Sequence, residues 1–75
     1  MSNGINVMTR GTDYIDFTIA GDSQSLYRYE SFTGKMRKLF GIGNYGKAVR
    51  GKERARIEAV AKIVFDNNLP FAVIL

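Results

Sequence analysis

The strongest constraint on the fold is a change of hydrophobic period part-way along the chain. "DYIDFTIA" (13–20) alternates, with Ile15, Phe17 and Ile19 on one side and Tyr14, Asp16 and Thr18 on the other. "LYRYESF" (26–32) does the same, with Tyr27 and Tyr29 on one side and Arg28 and Glu30 on the other. A period of two belongs to a strand with one covered face. In "KERARIEAVAKIVFDNN" (52–68) the period changes: Ile57, Val60, Ala61 and Val64 recur at i, i+3, i+4 and i+7. That is the stripe of an amphipathic helix, and Phe65 and Ile63 widen it on either side. The pattern calls for one helix laid on the apolar side of a sheet built from the earlier strands.

Turn residues divide the sheet. "GDSQS" (21–25) joins the two alternating runs into an antiparallel hairpin. "TGK" (33–35) makes the next turn, and "MRKLFGI" (36–42) follows as a third meander strand carrying Arg37 and Lys38. "GINVMT" precedes them as a short first strand, ended by Gly11. Asn67 or Asn68 ends the helix, and Pro70 prevents its return. Glu58, four residues before Lys62, suits a pair on the helix surface. The last five residues, "FAVIL" (71–75), are all apolar, which predicts a strand covered on both faces. One helix covers one face. The other requires either a second subunit, in a homodimer through the sheet containing Phe71–Leu75, or meander aromatics curled over it. The whole is a single α+β domain spanning 1–75: a small antiparallel β-meander, one amphipathic helix in the C-terminal half, and a final apolar strand.

Composition limits the chemistry. At 75 residues the chain buries only about 60% of its unfolded surface, so one marginally stable domain is expected. It has no cysteine and no histidine. Disulfides, thiolate or imidazole metal sites, and Ser-His or Cys-His nucleophiles are therefore excluded. "MSNGINVMTRG" has no apolar signal core and no apolar run approaches 18 residues, so a cytoplasmic protein without a membrane partner is expected. Asp13 and Asp16, three apart on a strand, point to opposite sides, and Glu58 and Asp66 lie more than two helical turns apart. No carboxylate pair suits acid–base or two-metal chemistry. The expectation is a protein that is not an enzyme and takes neither metal nor cofactor.

"GIGNYGKA" (41–48) contains two nucleotide patterns, G-x-G-x-x-G and the start of G-x-x-x-x-G-K. The first lacks its context: Asp66, 20 residues after Gly46, falls at the end of the helix instead of after a second parallel strand. The second fails at Ala48, which offers magnesium no hydroxyl. A kinase-type glycine loop between strands has no other kinase element beside it. With Gly51, the stretch reads as an irregular connection from sheet to helix.

Charge is the informative feature that remains. Residues 1–32 sum to −2, residues 33–56 to +7 and residues 57–75 to −1, so one third of the chain holds all the positive excess. Lys52, Arg54 and Arg56 crowd the first turns of the helix, where the macrodipole favours acids, and only Glu53 conforms. A phosphate at that end would meet backbone N–H groups, dipole and side chains together. The expected function is a small basic module that binds DNA or RNA mainly through phosphates. Lys47, Arg50, Lys52, Arg54 and Arg56 form the main contact, Lys35, Arg37 and Lys38 extend it, and Tyr45 stacks on a base or packs against sugar. The Tyr27–Tyr29 pair reads as a packed sheet face ahead of a stacking platform. The alternative is an interaction module, an inhibitor or adaptor of the size of many phage accessory proteins, docking its basic surface on an acidic protein groove. A third reading is a receptor for a small phosphorylated ligand at the loop–helix junction.

Overall fold

The computed structural model describes residues 3–20, 22–40 and 51–74. Its elements are β1 (Asn3–Arg10), β2 (Tyr14–Ile19), β3 (Asp22–Glu30), β4 (Lys35–Phe40), α1 (Gly51–Asp66) and β5 (Phe71–Ile74). The strands form one antiparallel sheet in the order β4-β3-β2-β1-β5, with α1 packed on one face. This is the α+β architecture that the two hydrophobic periods require.

Register carries the alternation across the sheet. Val7, Phe17 and Tyr27 stand opposite one another, as do Ile15, Tyr29 and Met36, and Ile5 lies between Ile19 and Ala72. All but Val7 and Ala72 are fully buried, and those two are partly buried against the cluster. Ile57, Ala61 and Val64 of α1 close the core from above. Each fully buried aliphatic or aromatic side chain contributes roughly 1.5–3 kcal/mol of transfer free energy. Tyr27 stacks on Phe17 with centroids 6.0 Å apart, and Tyr29 meets Phe65 at 6.2 Å. Both tyrosines belong to the core and are closed to a nucleic-acid base.

Local chemistry sets the turns. Gly34, at φ 69°, occupies the left-handed region in the β3–β4 turn, where its N–H donates to Glu30 O at 2.9 Å. The helix ends in a Schellman motif. Asn68 takes φ 56°, its N–H donates to Phe65 O, and the Leu69 N–H reaches back to Val64 O at 3.0 Å. Arg10 donates to Leu69 O from the end of β1, placing a cation at the negative end of α1. A bulge at Met8 makes this geometry. It turns Thr9 toward Asp16 on the open side of the sheet and Arg10 toward the helix side.

Three details differ from the sequence reading. Glu58 pairs with Arg54, not Lys62, and Lys62 pairs with Asp66 at 2.6 Å. Ile63 does not widen the packed stripe, being 54% exposed, whereas Phe65 does. The final strand is not covered on both faces. It lies at the sheet edge, with Ala72 toward the core and Phe71 and Val73 exposed at 59% and 56%. Pairing opposite Asn6 and Gly4 sends those two side chains to the open face. Tyr27 and Tyr29 point under the helix and do not curl over that face, where of the meander tyrosines only Tyr14 lies, at the far end from β5.

Candidate functional site

The basic segment enters the structure in two pieces, on β4 and on α1. Strand alternation places Lys35 and Arg37 on the open side of the sheet and Lys38 on the helix side, opposite Tyr27. Arg37 Nε lies 4.0 Å from Glu30 Oε1, an exposed pair of little energetic weight. Lys35 is exposed and forms no ion pair among the described residues.

The helix divides its cations as well. At about 100° per residue, Arg54 and Arg56 point to nearly opposite sides, while Lys52 and Arg56, one turn apart, share a side. Arg54 lies on the β4 flank and donates to the Met36 carbonyl. Glu58, one turn on, accepts the Met36 N–H at 3.0 Å and lies 3.4 Å from Arg54 Nε. The two side chains satisfy the outward backbone groups of Met36, which blocks strand pairing at that point of the edge. Arg54 thus has a structural task, and its charge is met within the chain. Lys52 and Arg56, on the other flank, are exposed and without an ion pair among the described residues. The helix starts at Gly51, φ 60°, one residue before the 52–68 segment read from the sequence. Tyr45, Lys47 and Arg50, with the glycine stretch, lie outside the described residues.

The open face of the sheet carries a polar cluster that sequence reasoning did not single out. Arg28 donates to both carboxylate oxygens of Asp16, at 2.7 and 3.1 Å, and its guanidinium lies 4.0 Å from the Tyr14 ring centroid. These hydrogen bonds raise the Arg28 pKa further above its ordinary value. The Tyr14 ring rests against Gly11, where a Cβ would sit 2.0 Å from a ring carbon. Cross-strand pairing of Asp16 with Arg28 was the available signal, since both fall on the polar side of adjacent alternating runs. The cluster is internally satisfied, so it orders the face and leaves the Arg28 charge neutralised.

A shallow cleft lies at the other end of the sheet, between Gly4, Asn6, Ala20, Phe71 and Val73. It exists because Gly4 has no side chain: a Cβ there would sit 2.8 Å from Ala72 O. Among the described residues no three acidic side chains converge on a metal-sized site. No helix among them is long and apolar enough to cross a membrane. No family model, curated protein or solved structure matches the chain, so its own geometry carries the functional reading.

Proposed function

We propose that the protein is a small non-enzymatic module, working in the cytoplasm, that binds nucleic acid through phosphate contacts. The observation behind this reading is the segregation of charge, +7 in residues 33–56 against −3 in the rest. The contact centres on the exposed Lys52–Arg56 flank of α1, with Lys47 and Arg50 preceding it in the chain. Lys35 and Arg37 present a second, smaller contact from the open side of β4. Arg54 is assigned to the edge of β4 instead.

Fluorescence anisotropy with labelled mixed-sequence DNA and RNA, single-stranded and duplex, tests the reading across a salt series. Each phosphate engaged contributes about −0.9 to the slope of log K against log salt on duplex DNA. Replacing Lys52 and Arg56 by serine should flatten that slope by about 1.8, while Arg54→Ala should leave it unchanged. No detectable binding to any of the four at 50 mM salt would end the proposal. The competing reading, a basic surface docked on an acidic protein groove, would be favoured by a single partner recovered after nuclease treatment.

A further inference from the structure

The two edges of the sheet are treated differently. At β4, Arg54 and Glu58 occupy the outward C=O and N–H of Met36. At β5, no described residue meets the outward groups. Which groups these are follows from the ladder. The Val7 N–H donates to Pro70 O at 2.9 Å, so Val7 and Pro70 form a hydrogen-bonded position, and such positions recur every second residue. Ala72 therefore turns its backbone groups inward to Ile5, and Phe71 and Val73 turn theirs outward.

We propose that β5 pairs antiparallel with β5 of a second copy of this chain, about a two-fold axis at Ala72, fusing two five-stranded sheets into one of ten. The outward groups at Phe71 and Val73 are symmetric about Ala72. In the two-fold register, Phe71 of one copy faces Val73 of the other, and all four outward N–H groups find a carbonyl. The segment has no charge and no interior proline, the usual guards of a free edge. Its exposed side chains, Phe71 and Val73, would become cross-strand neighbours on the open face.

A second layer supports the same partner. Arg54, Glu58 and Phe65 mark the α1 flank toward β4 and β3, which leaves the 54%-exposed Ile63 on the flank toward β5. The two-fold brings this residue of each helix toward the junction. Strand pairing alone over four residues falls well short of the ~800 Å² per partner of a standard interface, so the helix flank is a necessary part. The two-fold contact uses the same β5 edge of both copies, so the assembly closes as a dimer, and Arg54 and Glu58 block pairing at Met36 of the β4 edge.

Ile63 lies two turns beyond Arg56 on the same flank of α1, so the dimer shares that flank with the proposed nucleic-acid contact, and its tests therefore read mass and amide exchange without nucleic acid. Sedimentation equilibrium should give twice the 8.4 kDa chain mass at about 100 µM, with dissociation on dilution as expected for a small interface. Val73→Lys should return it to one chain mass, whereas Thr18→Lys, on the open face of β2, should leave the dimer intact. Amide exchange on the unmodified protein reads the pairing directly: protection at Phe71 and Val73 should rise with concentration. A single-chain mass at about 100 µM, unprotected amides there, or loss of the dimer in Thr18→Lys but not in Val73→Lys would overturn the proposal.

Discussion

Glu58 is the side chain whose replacement tests how the helix and the β4 edge support each other. Its carboxylate accepts the Met36 N–H at 3.0 Å and lies 3.4 Å from Arg54. Met36 is a core residue, 2% exposed, so Glu58→Ala strands a poorly hydrated donor. An unsatisfied buried donor costs about 1–3 kcal/mol, and partial access to water at an edge favours the lower half of that range. Loss of the partly exposed ion pair adds about 0.3–0.5 kcal/mol, which alanine's better helix propensity offsets by a similar amount. The net is about 1–2 kcal/mol. For a domain of this size each kcal/mol moves the midpoint by about 4–8 °C, so Glu58→Ala should lower Tm by about 5–15 °C. Glu58→Gln keeps an acceptor and loses only the charge, and should cost about 0.5 kcal/mol. Thermal and urea unfolding followed by circular dichroism measure both. Equal losses in the two variants, or none in Glu58→Ala, would refute the edge-capping argument.

Two further perturbations probe the sheet. Gly4→Ala places a Cβ 2.8 Å from Ala72 O, a backbone atom that cannot rotate away, so β1 and β5 must separate. Overpacking of this kind costs about 1–3 kcal/mol, readable as a lower urea midpoint. Burial is the main cause that raises the Tyr29 pKa, with Lys62 opposing it and Asp66 and Glu58 adding to it. A raised folded pKa gives stability that is complete below the unfolded value of about 10 and is lost as pH rises through the folded value. Stability should therefore decline above pH ~10, and Tyr29→Phe should flatten that decline in urea titrations at stepped pH.

Much of the fold is legible because period and parity are local properties. Alternation over 13–20 and 26–32 predicts which side chains share a face, and the buried set Ile15, Phe17, Ile19, Tyr27 and Tyr29 follows. The helix end is equally local, since an asparagine tolerates the left-handed φ of Asn68. What escapes is set by register between distant segments. Nothing near Met8 announces the bulge that turns Arg10 toward Leu69. "FAVIL" lacks alternation, so its composition suggests cover on both sides, whereas pairing with Gly4 and Asn6 sends Phe71 and Val73 to the open face. Glu58 has cations at both i−4 and i+4. The nearby β4 backbone selects Arg54, against the local preference for Lys62.

The same arithmetic explains why a dense charge run makes a sparse surface. Cations two apart share a face on a strand and oppose one another on a helix. Lys35 and Arg37 therefore stay together while Lys38 leaves them, and Lys52 joins Arg56 while Arg54 is sent to the β4 edge. The six described cations of the run thus give two pairs, with Lys38 apart from both and Arg54 capping a strand. The two pairs lie on opposite sides of the sheet, so one compact anion cannot meet both. On the proposed function, the four residues Lys35, Arg37, Lys52 and Arg56 would engage fewer phosphates than the raw charge implies. If each meets one phosphate they would contribute about −3.6 to a duplex salt slope and Lys47 and Arg50 about −1.8 more, and a slope near −7 would require Lys38 and Arg54 as well.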